Sequence, residues 1–195
     1  MQRTGTIGGD NVAGQAARDR PGPSGAVLET PRLRLRPGGE GDVDGLCAGL
    51  NDWAVAQWVV RPPYPYEPRD ALAYIALTAT VCGAGFHPFR VIAARDTDAL
   101  LGGISLEPDG AGAVLGYWLR PSAWGCGYMP EAAGALLADA RRRLAGLAEI
   151  HATTDPENAA SQSVLRRLGF ACVGDRPATG CRRGASRSLV FARRL

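Results

Sequence analysis

Hydrophobic and polar positions divide the 195-residue chain into a patternless start and a patterned remainder. Residues 1–27 are rich in Gly, Arg, Pro and small polar residues without an apolar period, the composition of a disordered extension. From Leu28 onward the pattern is that of a single domain, 28–195. Arg32-Leu33-Arg34-Leu35-Arg36 alternates with period two and predicts a half-buried strand, ended by Pro37-Gly38-Gly39. Asp42 is suited to cap a helix running to about Leu50, and Trp53, Val55, Trp58 and Val59 continue an apolar helical stretch. Arg61-Pro62-Pro63-Tyr64-Pro65-Tyr66 is excluded from helix by its prolines. A second helix is predicted from Pro68 to Val81, with a turn at Gly83-Ala84-Gly85.

Three strands then follow closely: Phe89 to Ala94, Leu100 to Leu106 and Ala113 to Leu119, separated by Asp96 to Asp98 and Pro108 to Gly112. Such short separators predict an antiparallel meander. A loop, Arg120 to Gly127, leads to a helix over Pro130 to Leu144 with Pro130 in its first turn. Glu149 to Thr154 reads as a buried strand. A helix from Pro156 to Leu168 has Asp155 as its N-cap and Gly169 as its stop. Phe170 to Val173 and Ser188 to Phe191 close the chain as strands. The order β-α-α-β-β-β-α-β-α-β-β predicts a mixed α/β (α+β) sheet flanked by helices.

Composition narrows the chemistry. All 22 basic residues other than the two histidines are arginine, and there is no lysine. A P-loop, which needs a lysine on the phosphates, and a pyridoxal-phosphate site, which needs a lysine Schiff base, are both excluded. A net charge of +3 with scattered arginines gives no reason to invoke nucleic acid. No apolar run approaches the ~18 residues of a membrane span, and the N-terminus carries no apolar signal core. A cytoplasmic location is expected. The five cysteines form no Cys-x-x-Cys and the two histidines no ligand spacing with them, so free thiols and no metal are expected.

The segment with most chemical content joins a strand to a helix: Gly116-Tyr117-Trp118-Leu119-Arg120-Pro121-Ser122-Ala123-Trp124-Gly125-Cys126-Gly127-Tyr128-Met129-Pro130. A helix N-terminus offers unpaired N–H groups and a positive dipole end, and glycines let backbone approach an anion closely. The loop therefore suits a phosphate or pyrophosphate. On spacing alone it is equally a tight strand-to-helix turn, because the third glycine of a dinucleotide fingerprint is absent.

This segment resembles the acetyl-CoA loop of GNAT N-acetyltransferases, whose pattern is Arg/Gln-x-x-Gly-x-Gly/Ala. It looks most like the branch of ribosomal-protein N-terminal (alanine) acetyltransferases, with Gly-Tyr-Trp-Leu, a short spacer, then Trp-Gly-x-Gly-Tyr. Trp124 stands at the Arg/Gln position, Gly127 at the first family glycine and Met129 at the last Gly/Ala position. Cys126 stands where that branch usually has lysine. Asp155-Pro156-Glu157-Asn158-Ala159-Ala160-Ser161, leading to Leu168-Gly169-Phe170, is similar to the family's Asn-x-x-Ser and Leu-Gly-Phe. Glu29-Thr30-Pro31-Arg32-Leu33-Arg34-Leu35-Arg36 matches the family start.

The resemblance implies a largely antiparallel sheet, splayed where Ala113 to Leu119 leaves a parallel neighbour, Glu149 to Thr154. The pantetheine of acetyl-CoA, the co-substrate, inserts there against the backbone of Trp118 and Leu119. Trp124, Gly125, Cys126, Gly127, Tyr128 and Met129 hold the pyrophosphate, and Asn158 and Ser161 contact the pantetheine or thiol. An N–H near Leu119 polarises the thioester carbonyl. The family's usual tyrosine acid falls on Leu165, so Ser161 is the implied acid. Glu107 is nominated as the base, acting through water. The implied reaction is direct acetyl transfer to a primary amine, on a protein N-terminus or a small molecule, with a homodimer as a further expectation. Two alternatives stand beside it: a non-catalytic acetyl-CoA-binding module, and a covalent enzyme built on Cys126 with His151 and Asp155. Trp53, Trp58, Tyr64 and Tyr66 are read either as an acceptor wall or as core.

Overall fold

The computed structural model describes residues 27–80, 89–144, 146–180 and 182–195. Its strands are β1 (Leu28–Glu29), β2 (Leu33–Arg36), β3 (Phe89–Ala94), β4 (Leu100–Asp109), β5 (Gly112–Leu119), β6 (Glu149–Thr154), β7 (Ala171–Pro177) and β8 (Arg187–Arg194). The helices are α1 (Val43–Asn51), α2 (Trp53–Ala56), α3 (Pro68–Thr80), α4 (Tyr128–Arg143) and α5 (Ala159–Arg167). All eight strands form one sheet in the order β1-β2-β3-β4-β5-β6-β8-β7.

Alternation along the strands divides the side chains between two cores. Ala113, Leu115 and Leu119 of β5, with Ile104 and Leu106 of β4, pack beneath Ala132, Ala133, Leu136, Leu137 and Ala140 of α4 and Leu165 of α5. Val91 and Ala93 of β3 face the other way, toward Leu46 and Leu50 of α1 and Ala71 of α3. Trp118 packs on this second core. A β-carbon on Gly49 would stand 2.4 Å from the Trp118 ring, and one on Gly103 would stand 2.9 Å from its Nε1. Both glycines leave room for that ring.

One pairing breaks the antiparallel rule. β5 runs parallel to β6, which requires a crossover, and α4 supplies it. Their register holds only at Ala113↔Ile150 and Val114↔His151. Beyond that point β5 stays with β4 as far as Gly102↔Leu119, while β6 stays with β8 as far as Thr154↔Leu189. The sheet therefore splays between Leu115–Leu119 and Ala152–Thr154, at the ends that lead into α4 and α5.

Several sequence expectations need correction. Strand β4 continues through Pro108 and Asp109, where a separator was expected. β3 reaches only to Phe89↔Ser105, so one edge of β4 has no strand beside it among the described residues, and a proline without an N–H is tolerated there. The N-cap of α5 is Asn158, not Asp155. Asp42 does not cap α1 through its side chain. Its carboxylate instead accepts the Gly39 N–H at 2.8 Å and pairs with Arg36 at 2.7 Å. Helix α4 starts two residues earlier than predicted, at Tyr128. The turn expected at Gly83-Ala84-Gly85 and the extension before Val27 lie outside the described residues.

Candidate active site

The splay leads directly into the glycine loop. After Leu119, the Arg120 N–H donates to Leu101 O at 2.9 Å, which holds the chain to β4. A 3-10 turn, Pro121–Ala123, then reverses it. Trp124 Nε1–H donates back to Leu119 O at 2.7 Å, so the indole braces the loop against the strand it left. Gly125 and Gly127 have φ of 73° and 76°, the left-handed region that glycine enters without a β-carbon clash. Gly127 is the N-cap of α4. Among the described residues, no backbone carbonyl accepts the N–H groups of Gly125, Cys126, Gly127, Tyr128 or Met129. These five N–H groups lie at the positive end of a 16-residue helix.

The residues that depart from the family pattern occupy distinct places. Met129 is buried in the core beneath α4, so its bulk points away from the loop. Cys126 is exposed, with its thiol 3.4 Å from Trp124 O. The first turn of α4 is fastened to the N-terminal segment: Glu131 accepts from Thr30 Oγ1 at 2.6 Å and from Arg32 Nε at 2.7 Å. Burial alone would raise the Glu131 pKa, but the hydrogen bonds from Thr30 and Arg32 outweigh it and the net shift is downward.

Across the splay, Asn158 Oδ1 accepts the Ser161 N–H at 3.0 Å, so its carbonyl caps α5 while its amide N–H groups are left for another partner. The Ser161 hydroxyl lies 2.9 Å from the Tyr117 hydroxyl of β5. The phenol also reaches Ser161 O at 3.2 Å. Burial pushes the Tyr117 pKa up to about 12, with the Ser161 hydrogen bond acting in the opposite direction. Leu165 is wholly buried in the core. Tyr117 was not singled out from sequence. The available signal was its period-two alignment with Leu115 and Leu119, which aims it at the α4 and α5 layer.

Glu107 lies on β4 opposite Val114 and is ion-paired with Arg61. Strand alternation sets it on the α3 side of the sheet, whereas Ser161 belongs to α5 on the other side. Its neighbour Tyr74 is raised to about 12, by burial first and then by the Glu107 charge, with Arg61 opposing. The four aromatic residues divide: Tyr66 is core, while Trp53 and Tyr64 are exposed and meet edge-on at 5.7 Å. Trp58 lies under the Arg183 guanidinium at 4.6 Å. The β7–β8 connection is drawn over this wall. Arg182 donates to the carbonyls of Ala56, Val59 and Pro62, and Arg183 joins Gln57 to Glu157. The covalent constellation is not assembled, because His151 is paired with Glu149 at 3.1 Å and makes no contact with the Cys126 thiol.

A parallel pair that splays into a glycine loop, with unbonded N–H groups opening a long helix, suits an anionic group held at the end of two strands. The profile of the Acetyltransferase (GNAT) domain matches residues 32–171, and the chain belongs to that family. Solved structures agree in fold. A GNAT-family acetyltransferase from Bacillus anthracis has a TM-score of 0.74 at 19% identity, over 87% of this chain and 98% of that one. RimJ of Mycobacterium smegmatis, in complex with CoA-disulfide, has a TM-score of 0.72 at 21% identity, over 88% of this chain and 87% of that one. The microcin C7 self-immunity acetyltransferase MccE, in complex with acetyl-CoA and AMP, has a TM-score of 0.72 at 14% identity, over 85% and 94%. No curated protein sequence matches the chain.

Proposed function

We infer that this protein transfers the acetyl group of acetyl-CoA directly to a primary amine. The observation that carries the reading is the loop itself: left-handed Gly125 and Gly127 open α4 at the mouth of a splayed parallel pair. The N–H groups of residues 125 to 129 receive the pyrophosphate, since the Trp124 N–H is taken by Pro121 O, and the pantetheine lies along Trp118 and Leu119 in the gap. The family match and the CoA-bound relatives support this reading.

The amine attacks the thioester carbon as a free base, the carbonyl oxygen takes the negative charge, and collapse expels the CoA thiolate, which needs a proton. Ser161 is the group assigned to the thiol, backed by the Tyr117 phenol at 2.9 Å. Asn158 keeps its amide for the pantetheine. Glu107 serves as base through water once it parts from Arg61. An α-amine, with a pKa of about 7.7–8.0, needs far less help than a lysine amine near 10.4. A site whose base is held in an ion pair therefore fits a protein N-terminus or another weakly basic amine.

The test is turnover with acetyl-CoA and an amine panel: peptides with free or blocked N-termini, lysine side chains, arylamines and polyamines. Acetylation of free N-termini ahead of lysine is expected, with Ser161→Ala reducing kcat by about 10- to 100-fold. A second reading, acetyl-CoA binding without transfer, draws on the buried Leu165 and the paired Glu107. Binding without turnover on any amine would select it.

A further inference from the structure

The segment between β1 and β2 grips the loop through one side chain. Glu131 Oε1 accepts the Arg32 backbone N–H at 3.0 Å, and Oε2 accepts Arg32 Nε at 2.7 Å and lies 2.7 Å from Nη2. Arg32 Nη1 donates to Cys126 O at 2.9 Å. Its guanidinium carbon stands 4.6 Å from the centre of the Tyr128 ring. Its Nη2 is 3.5 Å from the point where a Gly127 β-carbon would be. Arg32 thus borders three successive residues of the loop.

Two effects follow. The Cys126 carbonyl and the Gly127 N–H belong to one planar trans peptide and point in opposite directions. Holding the carbonyl toward Arg32 turns that N–H away from Arg32, out toward the ligand side. The second effect is electrostatic. Glu131 in the first turn suits the helix dipole but sets a carboxylate beside the place where a pyrophosphate must come. Arg32 neutralises it through Nε and Nη2, both on Oε2, and its side chain is still 48% exposed. From Trp124 to Met129 the loop carries no cation of its own, since Cys126 stands where the resembled branch has lysine.

We propose that Arg32 is a positioning residue for the pyrophosphate of acetyl-CoA, orienting the Cys126–Gly127 peptide and cancelling the Glu131 carboxylate beside it. The inference rests on the loop being the pyrophosphate site. It is tested with three probes: acetyl-CoA, its nucleotide half 3′-phospho-ADP, and S-acetyl-pantetheine, which has no phosphate. Binding is measured on wild type, Arg32→Met and the milder Arg32→Lys. Arg32→Met should weaken acetyl-CoA and 3′-phospho-ADP alike, by about tenfold or more, and leave S-acetyl-pantetheine unchanged. Arg32→Lys, which keeps the charge without the fork, should fall between. Equal loss of all three probes, or loss of none, in both variants would overturn the proposal. Wild type binding acetyl-CoA no more tightly than S-acetyl-pantetheine would remove the pyrophosphate assignment itself, and the proposal with it.

Discussion

At Ser161 the chain supplies a phenol from an unexpected direction. The resemblance leads one to look for a tyrosine on α5, and finds Leu165, which is core. The hydroxyl beside Ser161 comes instead from Tyr117 on β5, across the splay. Burial holds Tyr66, Tyr74 and Tyr117 up at about 12, above the ordinary phenol value of about 10. Because the folded value is the higher one, their neutral forms stabilise the fold fully below about pH 10, and this is lost as pH rises through about 12. An ultraviolet titration should show these three phenolates only above about pH 11 in the native protein, moving to about 10 in denaturant. Native phenolate signal from all tyrosines near pH 10 would contradict the burial of Tyr117. The same value keeps its O–H a donor to Ser161 throughout the working range.

The elements that build the site were legible in proportion to how local their signals are. Strand β6 has the ends expected from sequence, because Ile150, Ala152 and Thr154 alternate inward and Asp155-Pro156 stops the strand. The end of β4 departs from expectation, because Pro108 and Asp109 have the character of turn residues and a strand is permitted there by an edge with no partner strand among the described residues. Helix α5 starts three residues later than its composition predicts, because Asp155 and Asn158 both suit a cap and it is Asn158 that accepts the Ser161 N–H. Nothing in the sequence announced Arg90. It lies wholly buried on β3 beneath α4, 3.9 Å from the equally buried Asp139, which also holds Arg142 and Arg143. A buried ion pair is costly to break from one side. Asp139→Leu should destabilise the fold by about 3–5 kcal/mol, and adding Arg90→Leu should restore most of that loss. Denaturant unfolding of the two variants measures it; a double variant as unstable as the single would refute the pairing.

For the whole molecule, three layers exist to hold one gap open. The helices α1 and α3 press the sheet from one side and α4 and α5 from the other, while β4 and β8 pull β5 and β6 apart. Trp124 to Met129 follow β5 and Asn158 to Ser161 follow β6, so the fold sets both motif segments at the splayed ends of those strands. The contacts that tie the gap to the rest of the chain, Arg32 with Cys126 and Arg183 with Glu157, join residues too distant in sequence for periodicity to relate. Among the described residues, no helix is long and apolar enough to cross a membrane.

The central claim is that the loop opening α4 holds the pyrophosphate of acetyl-CoA, and calorimetric titration of wild type beside Gly127→Glu tests it most directly. The new residue would carry a β-carbon at a φ of 76° and a carboxylate where the phosphates must lie. Micromolar binding by wild type, weakened about a hundredfold or more in Gly127→Glu with the fold intact, is the predicted result. Folded wild type that takes up no acetyl-CoA, or a variant that binds it equally well, would contradict the account.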